Sequence, residues 1–111
     1  MKEVWKDCKG YEKTHEISNT GKIRSKSRFL SKTDYRQGKI LKPISVGKNN
    51  KKYFLYANGT KHKEYAYKLV ALTFFKDYNP NKDIVIKIKN IPDDSISNIK
   101  IIKDGIKLLE N

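Results

Sequence analysis

Apolar residues recur at clear helical spacing in one stretch of this chain. Tyr67, Leu69, Val70, Leu72, Thr73 and Phe74 build one face, with Ala66 and Ala71 supporting it, which predicts a helix over Tyr65–Phe75. What precedes it reads as short alternating runs broken by turns. Thr14–Ser18 and Lys22–Ser25 flank Asn19-Thr20-Gly21, an Asn-x-Gly between alternating runs and therefore a hairpin signal. Gly10-Tyr11 marks an earlier turn. Residues 26–38 are rich in Ser, Lys and Arg without periodicity and read as a mobile basic loop. Lys39–Pro43 is a short strand stopped by proline, and Lys51–Ala57 is another. Asn58-Gly59-Thr60 suits a type I′ turn, with Lys61–Tyr67 returning as the partner strand.

Beyond the helix, Tyr78-Asn79-Pro80-Asn81 is a turn. In the strand Asp83–Lys89, Ile84, Ile86 and Ile88 alternate against Val85, Lys87 and Lys89. Pro92-Asp93-Asp94-Ser95 is a second turn, whose Asp or Ser can cap a short helix through Asn98. The tail Lys100–Glu110 is periodic but fits strand or helix. The expected class is α+β: antiparallel strands, then strand–helix–strand–helix.

Charge narrows the partner. The 111 residues carry 25 Lys and Arg against 12 Asp and Glu, a net +13. Between Ile17 and Lys63 stand 13 basic residues and one acid, Asp34, so nearly all the surplus lies mid-chain. Such a block is an electrostatic footprint for a polyanion. A membrane is a poorer fit: no apolar run approaches the roughly 20 residues of a span, and no long helix has a basic face. Met1–Lys6 does not read as a signal peptide, and Cys8 is the one cysteine, expected as a small packed residue in a reducing compartment. The expected location is intracellular: a bacterial or host cytoplasm or nucleoid, or association with a virion.

A resemblance adds to this. Glu3-Val4-Trp5-Lys6-Asp7, Gly10-Tyr11-Glu12, Ile17-Ser18-Asn19-Thr20-Gly21 and Ile23-Arg24-Ser25 resemble the NUMOD motif at the front of phage- and virus-type HNH homing endonucleases, with His15 where that family usually has Tyr. Gly38–Pro43 is similar to the family's second strand, Lys51–Lys63 to its hairpin, and Tyr67–Phe74 to its His-Arg-Leu-Val-Ala-x-x-Phe helix. The resemblance implies an antiparallel β-rich NUMOD part that contacts DNA, over residues 1–45. A ββα-metal (His-Me finger) nuclease module follows over residues 46–111, the two packing as one unit.

The departures from the family pattern concern its chemistry. A centre of this type uses a histidine as general base on water and oxygen ligands around one divalent metal, Mg or Mn. The family strand reads Val-Asn/Asp-His-x-Asp-Gly; this chain reads Val85-Ile86-Lys87-Ile88-Lys89-Asn90. Ile86 stands at the ligand position and cannot coordinate. Lys87 stands at the base position, where a protonated amine has no free lone pair. Lys89 replaces the supporting Asp, Tyr67 replaces the His that opens the helix, and Asn98 is the residual ligand candidate. Losing a general base costs roughly 10²–10⁴-fold by itself. The expectation is a double-stranded-DNA-binding protein with an inactive centre and no cofactor, Mg or Mn entering only with residual nuclease activity.

The expected DNA contacts are Arg24, Lys26, Arg28, Lys32, Arg36, Lys39 and Lys42, continued by Lys48, Lys51, Lys52, Lys61 and Lys63 along the hairpin. Arg24 and Arg28 suit base or minor-groove contacts because a guanidinium forks. Lys87 and Lys89 are expected to hold phosphate where the family cuts. His62 is expected at the surface, His15 packed, and Asp93-Asp94 in a cap or solvated turn. Tyr53, Phe54, Tyr56, Tyr65 and Tyr67 are expected mostly in the core rather than stacking on bases. No zinc-spaced Cys/His set and no phosphate-cradling Gly-rich loop is present, and nothing calls for a small-molecule substrate. Two rivals remain at this level: a weak nickase using Asn98, and a viral module that binds a protein partner, as a host inhibitor or an assembly component.

Overall fold

The computed structural model describes residues 2–109. The first sheet is β1 (Trp5–Asp7), β2 (His15–Ser18) and β3 (Ile23–Ser25), antiparallel in chain order. The β2–β3 hairpin turns where Asn19-Thr20-Gly21 predicts. β4 (Arg28–Phe29) and β5 (Tyr35–Arg36) form a small separate hairpin. The third sheet is β6 (Ile44–Val46), β7 (Asn50–Ala57) and β8 (Thr60–Tyr65), again antiparallel. Asn58 and Gly59 both have positive φ, 53° and 75°, as a type I′ turn requires. The helix α1 (Ala66–Phe74) follows, then β9 (Ile84–Lys87), a 3₁₀ turn (Ile96–Asn98), β10 (Ile99–Ile102), antiparallel to β9, and α2 (Gly105–Leu109). The fold is α+β, 57 × 27 × 26 Å.

Nothing caps α1. Tyr65 makes no side-chain cap and the first turn holds no acid. Packing must hold the helix, since an isolated nine-residue helix is not stable in water. Ala66, Leu69, Val70 and Ala71 are buried and share one core with Cys8, Ile17 and Ile23 of the first sheet region, Tyr53 and Leu55 of β7, and Val85 and Ile99 of the β9–β10 pair. Burial pushes the Cys8 thiol up to about 12, with Glu64 and Glu12 adding to the effect. Among the described residues no helix is long and apolar enough to cross a membrane.

Three local expectations change. Residues 26–38 are not an unstructured loop: Phe29 pairs with Tyr35 and Arg28 with Arg36. The Ser31 hydroxyl accepts the Thr33 and Asp34 N–H groups at 3.3 and 3.1 Å, closing the turn. Two-residue strands are too short to show alternation. Lys39–Pro43 is not a full strand; it touches β3 through a single bridge, Arg24 to Ile40, and the strand begins after the proline, at Ile44. The short helix expected through Asn98 is one 3₁₀ turn. Its N-cap Ser95 makes no side-chain cap, while Asp93 Oδ1 accepts the Ser95 N–H at 2.9 Å. The ambiguous tail resolves into β10 and α2, with Glu110 outside the described residues.

Candidate nucleic-acid interface

The Ser18-Asn19-Thr20-Gly21 turn works as a clamp. Ser18 Oγ accepts the Thr20 and Lys22 N–H groups, each at 3.2 Å. Asn19 Oδ1 accepts the Val4 N–H at 3.0 Å, its Nδ2 donates to Lys2 O, and its carbonyl accepts the Ile96 N–H at 2.9 Å. The turn thereby ties the N-terminal strand to the 3₁₀ turn some 75 residues later. Gly21, with φ at +93°, lies so close to Asp94 that a Cβ there would sit 2.8 Å from the Asp94 Cβ. Only glycine meets both demands.

Asp94 is buried, which the sequence reading missed. Lys87 Nζ lies 2.8 Å from its Oδ1, and the two side chains are 7 % and 3 % exposed. Beyond this ion pair, Asp94 Oδ1 has no partner among the described residues. Lys87 Nζ also donates to Asn49 O at 2.6 Å. Nearby, Tyr53 donates its hydroxyl to Gly21 O at 3.3 Å, and its own ionisation is pushed up by burial and then by Asp94. Tyr67 is half-buried and raised in the same way, by burial first, then Tyr65, Tyr78 and Asp94.

The alternation of β9 is therefore real, but Val85 and Lys87 take the inward face. Ile86 and Ile88 point out, 38 % and 58 % exposed. The expected phosphate contact at Lys87 is corrected: its ammonium is neutralised inside the fold and not offered to a ligand. Lys89 is exposed.

Asn98 is 5 % exposed and fully engaged. Its Oδ1 accepts the Lys89 N–H at 2.9 Å, and its Nδ2 donates to Lys89 O and Asp93 O at 3.1 and 2.8 Å. It stitches the loop between β9 and the 3₁₀ turn. A divalent metal does not fit this set: an outward isoleucine, an ammonium already paired to the nearest carboxylate, and an amide spent on backbone. Among the described residues no group of three or more His, Cys, Asp or Glu side chains converges.

The basic residues divide into committed and free. Arg24 Nε is 3.0 Å from Glu16 Oε1 across the β2–β3 pair, and its guanidinium lies 4.0 Å from the Trp5 ring centroid. Lys26 Nζ is 2.8 Å from Asp7 Oδ1 and 2.6 Å from Glu12 O. Both brace the first sheet. Lys51 is half-buried on the inward side of β7. Arg28, Lys32, Lys39, Lys42 and Lys48 are exposed, and none has an ion-pair partner among the described residues; Arg36 has a loose one, 3.6 Å to Asp34.

On the third sheet, strand parity gathers a set the sequence reading had dispersed. The register pairs Lys52 with Tyr65, Phe54 with Lys63 and Tyr56 with Lys61, and all six share the face opposite the core residues Tyr53 and Leu55. Of the five aromatics expected mostly in the core, Tyr53 is buried in it and Tyr67 packs half-buried against it, while Phe54, Tyr56 and Tyr65 lie on the opposite face of the sheet. Lys61 Nζ lies 4.0 Å from the Phe54 ring centroid and Lys52 Nζ 4.4 Å from that of Tyr65. Tyr56 is 60 % exposed. Cation–π contacts hold the lysine stems flat while the charges stay at the surface.

His62 is exposed, its ring edge-on to Tyr11 at 6.4 Å. His15 is half-buried beside the Thr14 hydroxyl at 2.7 Å, and burial, then Arg28, lowers its proton affinity. The sequence reading also missed Asp83. Its side chain is 1 % exposed and accepts from Lys103 Nζ and from the N–H groups of Asn79 and Asp104, all at 2.8–2.9 Å. These bonds, that of Lys103 first, lower its pKa to about 2.

Comparison with known proteins agrees with this geometry. The family model of the NUMOD4 motif matches residues 3–73. A solved structure described as DNA binding and cleavage by the HNH homing endonuclease I-HmuI is similar at a TM-score of 0.68 and 26 % identity, covering 96 % of this chain. The chain spans 56 % of that protein's length. No curated protein matches it. On the motif, the clamp it forms and the shared fold, the chain belongs to the NUMOD4-motif, HNH-endonuclease-like family.

Proposed function

We propose that the protein binds double-stranded DNA through the outer face of β7–β8 and the β4–β5 arm, and that its nuclease-like centre does not cut. The observation that carries the reading is the fate of the lysines. Lys61 and Lys63 stand exposed on one face that the half-buried Lys52 shares, and Arg28, Lys32, Lys39 and Lys42 stand exposed along and beside the arm. Lys87, where the resemblance puts the general base, is locked to Asp94 inside. Exposed cations attract phosphates; a buried, paired ammonium neither takes a proton nor leaves room for a dication. The long axis of 57 Å matches about 17 base pairs of duplex. The solved relative is described as binding DNA, which supports the same partner here.

The test is a salt titration of binding to a labelled duplex of about 30 base pairs, long enough for that footprint. With most of these cations engaged, log K falls against log salt with a slope of magnitude about 5 or more. Lys61→Ala with Lys63→Ala lowers that magnitude by about 2, one increment per lost phosphate contact. A flat salt response, or a slope the double variant leaves alone, would remove duplex DNA from this face and bring forward a protein partner.

A further inference from the structure

The β4–β5 arm carries more than charge. Phe29, Leu30 and Tyr35 are 71 %, 52 % and 53 % exposed, and the Phe29 and Tyr35 rings meet at 5.0 Å. Because Phe29 pairs with Tyr35 and Arg28 with Arg36, the ribbon has two faces, one aromatic and one doubly cationic, with the Arg36 charge only loosely offset by Asp34 at 3.6 Å. Each is unfavourable alone in water. Like charges directly opposite on paired strands repel, and exposed rings forfeit the gain of burial.

The arm is nevertheless pinned. Leu30 N–H donates to Asp34 O at 2.7 Å across its turn. At its root Gly38 N–H donates to Ser27 Oγ and Lys39 N–H to Ser25 Oγ, both at 2.9 Å. For a pinned ribbon whose rings and Leu30 stand at the base of the polar turn Ser31–Asp34, with cations beside them, a stack of bases bordered by phosphates relieves both costs. Apolar side chains carried into the minor groove part base steps in this way, and the duplex kinks and unwinds.

Building on the duplex-binding reading above, we propose that the arm enters the minor groove and wedges Phe29, backed by Leu30, into a base step, while Arg28 and Arg36 hold the adjoining phosphates. The wedge needs no particular sequence.

Unwinding can be read without knowing the site. The full chain is added to relaxed closed plasmid with a type I topoisomerase, the protein is removed, and topoisomers are separated; a native gel is run in parallel. The expected result is a dose-dependent shift to negative linking number. Phe29→Ala with Leu30→Ala loses most of that shift yet retards the plasmid within roughly tenfold of the parent concentration, because phosphate contacts carry most of the affinity. Phe29→Leu keeps it. Both side chains are exposed, and an unchanged circular dichroism spectrum verifies the fold. Retardation by the parent without any linking change overturns the wedge and leaves duplex binding standing. A linking change that survives in the double variant overturns it too, since unwinding then arises elsewhere. Better competition by single-stranded DNA than by duplex overturns it in favour of stacking on open bases. No retardation at all sinks the wedge and the duplex-binding reading together.

Discussion

Asp94→Asn isolates the buried ion pair with the least change of shape. The amide keeps the volume beside Gly21, where there is no room to spare, and removes only the charge. Lys87, 7 % exposed, then keeps its ammonium inside the fold with Asn49 O as its remaining partner. Removing one member of a buried pair costs about 3–5 kcal/mol, because the survivor is left uncompensated. A domain of this size is stable by roughly 5–15 kcal/mol. The variant should therefore lose a large share of its stability, a fall in Tm of more than about 10 °C. Lys87→Met with Asp94→Asn removes both charges, and such replacements are often neutral or stabilising. The double variant should recover at least about 2 kcal/mol over Asp94→Asn. Urea and thermal unfolding followed by circular dichroism provide the values. A Tm for Asp94→Asn within about 3 °C of the parent, or a double variant as damaged as the two singles together, would refute a buried, coupled pair.

Other outcomes follow from the same geometry. Gly21→Ala combines positive φ with a 2.8 Å approach to the Asp94 Cβ, and should cost about 1–3 kcal/mol or more in urea unfolding. Asp83 has its folded pKa depressed to about 2, so its stabilisation is complete above its unfolded pKa near 4 and drains as pH falls toward 2. Parent and Asp83→Asn unfolding curves should accordingly differ at pH 7 and converge across that acid window. Cys8, buried with its thiol pushed up to about 12, should resist thiol reagents at pH 8 in the folded protein and react at the rate of unfolding.

Where turn chemistry is strong, the sequence was legible. Asn19-Thr20-Gly21 and Asn58-Gly59 specify their hairpins because few residues tolerate positive φ, and the α1 stripe specifies its helix, although the fully buried positions are Leu69, Val70 and the supporting Ala66 and Ala71, with Tyr67, Leu72 and Phe74 packed half-buried against the core. The family emerged from motif residues that prove to be structural: Ser18 and Asn19 close the clamp, and Trp5, Glu16 and Arg24 brace one another. The arm escaped notice because its strands hold two residues each and its order comes from the Ser31 hydroxyl and the root hydrogen bonds. The sequence points Lys87 outward because lysine on a strand ordinarily faces water. Its inward turn depends on a carboxylate seven residues on, brought beneath it by the Gly21 contact. Alternation alone does not say which set of a two-faced strand is buried; Lys52, Phe54, Tyr56, Lys61, Lys63 and Tyr65 became one surface only once register joined β7 to β8.

The central claim, duplex binding without cleavage, is tested most directly by titrating supercoiled plasmid with and without magnesium or manganese and dividing each sample between native and denaturing gels. Retardation on the native gel with no new nicks on the denaturing gel is the predicted result. Metal-dependent nicks would contradict it, and would mean that a base and a metal site operate despite the Lys87–Asp94 pair.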